Sequence, residues 1–428
     1  MKYVLLFVLG FYLYHSSFSQ NRREDIYSAF VLYPQREALR QDLKERVIGH
    51  TFLLALDSNS ENKYESACSS IAQFLLVGQD VELGFQKLFS SYDSLQYDTR
   101  RAFLEAVYAV YPQKYSSQIK SLLEKETNPK LFSMCAVYLY RIDPSVNQHN
   151  MLKRRIAEQF PCYDTVTVLN ELSKYLTHVA VARKSRIPDI VQLFRHQKIT
   201  GQKIIYSFQR WNRDYPGLAI VQLADGRFAR KADGRLLVFQ QLARSGADLP
   251  YFITDGSTPQ GIFSIQGLDV AHNLFIGPTP NIQMIMPFED SWEKYFLEHG
   301  NETHDSLRSY LHLLPEGWRH YQPMMEAWFA GKTGRTEIIA HGTAIDPAYF
   351  RDKPYYPLTP TLGCLCAKEI WNNTTGHLLV SEQFGLVSAF KSSPGDQGYL
   401  YVINVDDQQK PVSRMEVDNW VKAFEKKK

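Results

Sequence analysis

The sequence predicts an α+β protein. An all-α N-terminal domain, HEAT-like or a compact bundle, is followed by a β-rich domain that carries a helical insertion. Three observations predict this. Between residue 36 and about residue 180, apolar residues recur at three- and four-residue spacing. From Lys203 onward, short runs of Ile, Val, Leu and aromatic residues are punctuated by Gly, Asp and Pro. Between 290 and 330 the pattern turns helical again, with Trp292, Tyr295, Leu307, Leu311, Trp328 and Phe329. A chain of 428 residues also exceeds one ordinary core, so two domains or more are expected.

Residues 1–19 read as a secretory signal. Lys2 is a short basic region, Tyr3 to Tyr14 is an apolar stretch of twelve residues, and Ser17 and Ser19 supply small residues before a cleavage point at Gln20. The alternative is an uncleaved N-terminal anchor. No other stretch reaches the roughly 18 apolar residues that a membrane helix needs, so no membrane span is expected after cleavage. The expected location is exported, in the periplasm or cell envelope.

The helical domain is assigned to 20–197. Tyr64 to Leu76, Ala102 to Tyr111 and Leu131 to Ile142 are helices, separated by breaks at Asp57-Ser-Asn-Ser60, Tyr111-Pro112 and Asp143-Pro144. They begin about 30 to 35 residues apart, a spacing that suits stacked helix pairs; they share no fixed signature residues, so a bundle stays open. The β-rich domain is assigned to 198–405. Its strands are Lys203 to Phe208, Leu218 to Leu223, Arg235 to Phe239, Tyr251 to Thr254 and Gly261 to Ile265, then Glu337 to Ala340 and Gly398 to Val405. Helices are expected to start at Cys364 and to cover His377 to Phe390. A C-terminal tail, 406–428, ends in a helix from Arg414 to Lys428. A fragment starting near Lys198 is expected to keep the thiol chemistry described next.

Net charge of +3 gives no field that argues for nucleic acid. The 26 Tyr and 25 Phe fit either a large β-rich core or a groove lined with rings. The five cysteines are odd in number and Cys68, Cys135 and Cys162 lie far apart, so these three read as buried packing residues rather than a disulfide framework. Cys364 and Cys366 have metal-like spacing, but no second Cys or His pair completes a tetrahedral set. No metal and no cofactor are expected; His312 and His320 belong to the inserted helices.

The chemistry concentrates in two segments. Arg335-Thr-Glu-Ile-Ile-Ala-His-Gly-Thr343 delivers His341 into a turn at Gly342, and Thr361-Leu-Gly-Cys364 delivers a cysteine behind a flexible Gly363. A cysteine attacks as thiolate, and a neighbouring histidine or a helix N-terminus lowers its pKa. With Cys364 at a helix start, the dipole favours thiolate and free N–H groups can bind an oxyanion. His341 takes the thiol proton and later protonates the leaving amine. No acidic partner for His341 is evident nearby in sequence; its other ring nitrogen is left to a backbone carbonyl or an unidentified residue. Around these, Pro354-Tyr-Tyr-Pro357 places Tyr355 and Tyr356 either over a peptide or sugar or in a packing loop. Arg335 either receives a substrate carboxylate or is an ordinary strand-start arginine.

Three elements resemble the catalytic domain of the L,D-transpeptidase (YkuD-like) family. Ser257-Thr-Pro-Gln-Gly-Ile-Phe-Ser-Ile265 is similar to its Thr-Pro-x-Gly strand, Ile339-Ala-His-Gly-Thr343 to its Ile-His-Gly segment, and Thr361-Leu-Gly-Cys364 to its Ser/Thr-His-Gly-Cys motif. They occur in the family's order, and the resemblance covers roughly residues 200 to 405. It implies a β-sandwich-like fold and cysteine acyl transfer on peptidoglycan stem peptides. Cys364 takes the nucleophile's place and His341 the base's, with Gly363 at the exposing turn, Gly342 after the histidine and Thr361 where the family has Ser or Thr. Thr258, Arg335, Tyr355 and Tyr356 are the candidate substrate-binding residues. The implied partner is a peptidoglycan stem peptide, and the helical domain is expected to dock a protein or cell-wall partner. Leu362 departs from the family's His, Cys366 from a polar residue that is often Arg, and the His341–Cys364 stretch is longer than usual. A cysteine amidase or peptidase of the same fold, or a non-enzymatic cell-wall binding protein with a decayed site, are the competing readings.

Overall fold

The structure, a computed structural model, describes residues 22–182, 186–297 and 306–426. The expected signal segment lies outside the described residues. Among the described residues no helix is long and apolar enough to cross a membrane.

The chain is mixed α/β with a helical N-terminal region and an eight-stranded closed sheet. The helical region runs through α1 (Tyr33–Asp42), α2 (Thr51–Leu53), α3 (Glu61–Phe74), α4 (Gln79–Ser91), α5 (Tyr97–Val110), α6 (Ser116–Lys125), α7 (Pro129–Ile142), α8 (Val146–Gln159) and α9 (Thr167–Ala182). Helices α3, α5, α7 and α9 pack against one another in that order, with α6 and α8 against their sequence neighbours. Each of the inner helices buries its apolar stripe on both sides, as Ala102, Phe103, Ala106 and Val107 of α5 show. Cys68 and Cys135 are fully buried in this core. Cys162 is not: it lies beyond the end of α8 and is exposed, and all five cysteines are free thiols.

The barrel follows α10 (Ile190–Thr200). Its strands are β1 (Lys203–Arg210), β2 (Gly217–Gln222), β3 (Phe239–Leu242), β4 (Gly261–Asp269), β5 (Asn281–Ile285), β6 (Ala340–His341) and β7 (Leu365–Ala367), closed by β10 (Gly398–Asp406) after the separate hairpin β8 (Glu369–Trp371) and β9 (Leu378–Ser381). The order around the barrel is β1-β10-β4-β5-β6-β7-β3-β2. β1 runs parallel to β10 and β6 parallel to β7; the other neighbours are antiparallel. Central strands are buried on both faces, which explains their near-continuous apolar runs. One row, with Ile204, Tyr206, Phe208, Tyr399 and Tyr401, packs on α10 and on α16 (Arg414–Glu425). The alternate row, with Ile205, Phe263, Leu400 and Val402, packs on α15 (Glu382–Phe390). The insertion forms α11 (Trp292–Phe296), α12 (Ser306–His312), α13 (Glu316–Arg319) and α14 (Glu326–Lys332).

Several sequence expectations are corrected. No helix begins at Cys364; the chain enters β7 there. His377 to Phe390 is not one helix: Leu378–Ser381 pairs with β8, and the Ser381 hydroxyl then caps α15 by accepting from Phe384 N. Glu337 has φ of 62°, so the strand before His341 shrinks to two residues. The run Arg235 to Phe239 is largely irregular, with one bridge from Leu236 to Arg230 and β3 starting at its last residue. Tyr251 to Thr254 is a turn as well, because its apolar side chains are satisfied elsewhere: Ala247, Leu249, Phe252 and Ile253 are buried in the helical core.

The expected boundary at 198 falls inside α10, whose Ile190, Val191, Leu193 and Phe194 belong to the barrel's core. A fragment starting at Lys198 would lose those four and uncover the four residues of the 247–253 turn. At roughly 1.5–3 kcal/mol for each large apolar side chain, this is as large as a typical stability margin of about 5–15 kcal/mol. Such a fragment is expected to be insoluble or molten. A soluble, cooperatively melting fragment would contradict the shared core.

Candidate active site

His341 ends β6 and Cys364 immediately precedes β7, so two parallel neighbouring strands bring the two segments together. The register pairs Ala340 with Leu365 and His341 with Cys366, and Leu365 N donates to Ile339 O at 3.0 Å. Cys364 therefore lies beside Ile339, and its relation to His341 is the diagonal of a strand pair.

The turn that presents Cys364 is tied down on every side. Gly363 has φ of 119°, and a Cβ there would lie 2.3 Å from Arg335 Nη2 and 2.8 Å from the Gly256 carbonyl. The Thr258 hydroxyl donates to Gly363 O at 2.8 Å. Thr361 Oγ1 accepts from Gly363 N at 3.0 Å and donates to Cys364 O at 2.9 Å. Thr258 and Arg335, expected to face substrate, are buried. Arg335 Nη1 donates to Tyr251 O at 2.5 Å and Ser257 O at 3.1 Å, and Nη2 to Gly256 O at 2.7 Å. Its guanidinium stands behind the nucleophile's turn, and burial pulls its pKa down to about 10. Tyr355 is also buried, with the Arg244 guanidinium 5.0 Å over its ring. Tyr356 is exposed.

Cys364 is partly exposed, although its thiol is seated against backbone. Sγ donates to Glu337 O and accepts from Ile339 N, both at 3.5 Å. Burial pushes the thiol up to about 11; the Ile339 N–H and Arg335 pull it down, and Glu337 and Asp255 push it further up. The helix dipole expected to favour thiolate is not there. His341 is buried, which lowers its pKa to about 4. Its Nδ1 bonds the Gly342 carbonyl. A carbonyl can only accept, so Nδ1 carries the proton and Nε2 keeps its lone pair. At neutral pH the site thus holds a neutral thiol and a neutral, base-competent imidazole.

Sequence reasoning missed Glu369. Gly342 lacks a side chain where a Cβ would sit 2.2 Å from the Glu369 carboxyl carbon. That carboxylate accepts from Thr343 N at 2.9 Å and from the Ser381 hydroxyl at 2.6 Å. Burial raises its pKa to about 7, against the hydroxyls of Ser381 and Thr279 and the Thr343 N–H, which lower it. Glu369 braces the turn that follows His341. Its only sequence signal is a charged residue inside a short β-type run.

Cys366 is fully buried, its Sγ 3.6 Å from Thr359 Oγ1. Burial pushes its thiol up to about 12. Alkylation under native conditions is expected to label Cys364 well before Cys366, as read by peptide mapping; preferential labelling of Cys366 would overturn this placement. A separate groove of about 790 Å³, lined by Leu223, Phe228, Leu237, Phe239 and Ala389, contains neither Cys364 nor His341. Among the described residues no three His, Cys, Asp or Glu side chains gather as metal ligands would.

Comparison of the chain with protein-family models, with curated proteins and with solved structures finds no match.

Proposed function

We propose that this chain is an exported cysteine acyltransferase of the L,D-transpeptidase kind, acting on peptidoglycan stem peptides. The observation that carries the reading is the placement of His341 at the end of β6 and of Cys364 just before the parallel β7, with the imidazole Nδ1 committed to a carbonyl and Nε2 left as base. In this reading Nε2 takes the thiol proton as Sγ attacks the carbonyl of the stem peptide's dibasic residue. The tetrahedral intermediate collapses, the C–N bond breaks, and the imidazolium returns the proton to the departing D-amino acid. An amine or water then attacks the thioester, giving a cross-link or a trimmed peptide, and the thiol is regenerated. General-base attack from a neutral pair suits this site better than a standing thiolate, because burial disfavours both ions.

Mass spectrometry of the purified protein with a disaccharide-tetrapeptide tests the proposal. Loss of the terminal D-amino acid, abolished by Cys364→Ala, is expected. Release of a sugar-linked lactyl group instead would indicate an amidase. A second reading, a cell-wall binding protein with a decayed site, is favoured by the raised thiol pKa and by Leu362, which is 49% exposed where the resembled motif has histidine. Binding of the tetrapeptide with no turnover by a folded protein with a free thiol would select it.

A further inference from the structure

The turn from Pro250 to Ser257 is held from both sides. On the side of the helical domain, Arg101 of α5 pairs with Asp255 at 2.6 Å, and the Tyr251 hydroxyl donates to Glu171 of α9 at 2.6 Å. Asp255 has φ of 58°, a conformation that a non-glycine residue adopts only when its surroundings impose it. On the barrel side, the carbonyls of Tyr251, Gly256 and Ser257 hold the Arg335 guanidinium. That guanidinium in turn fills the space a side chain at Gly363 would need. Contacts therefore run without a break from α5 to the residue preceding the candidate nucleophile.

We propose that Arg335 is a positioning residue that supplies counter-charge to the Cys364 thiol, and that the helical domain sets the size of that charge through the Arg101–Asp255 pair. The proposal rests on the reading of Cys364 as nucleophile. Carbonyls orient a guanidinium but carry no net charge, so the three carbonyl bonds leave its positive charge uncancelled. Arg335 is the cation that acts on the thiol; Glu337, Asp255 and the neighbouring Cys366 are the acidic groups that face it. Asp255 also acts on Arg335. Its carboxylate is turned to Arg101, which is shared with the buried Glu105 at 3.2 Å. Burial and Asp255 push the Glu105 carboxyl well above its ordinary range. Arg101 thus offsets part of the Asp255 charge and leaves more of Arg335's to the thiol. Without Arg101, the Asp255 charge would cancel that of Arg335. The second domain thereby becomes part of the thiol's electrostatics.

The test is the rate of Cys364 alkylation by iodoacetamide against pH, in the full chain, followed by peptide mass spectrometry. Circular dichroism and a melting curve accompany each variant. Arg101→Met is expected to slow alkylation about three- to tenfold below the thiol's pKa and to move the profile to higher pH, a tenfold change corresponding to about one pKa unit. Asp255→Asn, nearly isosteric, is expected to speed it by a similar factor and move the profile to lower pH. The double variant should be faster than Arg101→Met alone, because the anion that Arg101 masks is gone. A packing role for Arg101 would predict no such rescue and no shift along the pH axis. An unchanged or slower rate in folded Asp255→Asn overturns the proposal, even if Arg101→Met fails to fold. Arg335→Met should lose the counter-charge and Arg335→Lys restore part of it. No substrate enters this assay. Absent tetrapeptide turnover with the expected alkylation pattern overturns the acyltransferase reading alone, and intact turnover with unchanged alkylation overturns the coupling alone.

Discussion

His341→Ala is expected to slow acylation of Cys364 by a carbapenem roughly 10²–10⁴-fold, the usual worth of a positioned general base. Cys364→Ala should abolish the adduct, and Cys366→Ser should leave it nearly unchanged, because Cys366 is sealed beneath Thr359. In the adduct, Sγ bonds the lactam carbonyl carbon, the ring C–N bond opens, and the proton passes through Nε2 to the lactam nitrogen. The pH dependence separates the mechanism from simple thiolate chemistry. His341 titrates near 4, so its base form is fully present at neutral pH, and the thiol titrates near 11. The wild-type acylation rate should be nearly flat from about pH 6 to about pH 9. In His341→Ala the residual rate should climb about tenfold per pH unit over that range, tracking the thiolate fraction. Intact-mass measurements over time give both profiles. A wild-type rate that climbs as steeply as the variant's would remove His341 from the reaction.

The elements that were legible in the sequence are those whose own residues carry a period. Helices α3, α5 and α7 repeat apolar residues on one stripe, and β1, β2, β4 and β10 are β-branched or aromatic runs bounded by Gly, Asp or Pro. The order His341-Gly342 before Gly363-Cys364 was legible for the same reason, since each needs a glycine in an unusual place. What failed was decided by partners far away in sequence. Leu365-Cys-Ala367 is too short to show a period, and it is a strand because β6 and β3 flank it. Phe252 and Ile253 read as strand residues, yet the helical domain offered them a better burial. Arg335 read as a substrate-binding or strand-start cation because no sequence pattern announces three converging carbonyls. Glu369 escaped notice because its link to His341 runs through the missing side chain of Gly342 and a bond to Thr343 N.

Glu369 carries a large pH effect on stability expected near the site. Its pKa in the fold is about 7, whereas an ordinary glutamate ionises near 4.5. The sign follows from which state holds the proton. Below about pH 4.5 both folded and unfolded chains are protonated there, and the fold is at full strength. As pH rises toward 7 the unfolded chain gives up the proton first, so the folded state loses ground, and above 7 the loss is constant. A difference of this size corresponds to roughly 3–4 kcal/mol at about 1.4 kcal/mol per unit. Glu369→Gln keeps an acceptor for Thr343 N and removes the ionisation. It is expected to match the wild type near pH 4 and to be more stable by roughly that amount at pH 8, measured by urea unfolding. The variant should keep some of the same trend from Glu326, which burial also raises to about 7, so the comparison between variant and wild type carries the result. Equal stability differences at both pH values would mean that Glu369 ionises in the fold at its ordinary pH, and is a carboxylate at neutral pH. The carboxylate would then brace the His341 turn as an anion, and His341 would sit in a more acidic site than its lowered pKa implies.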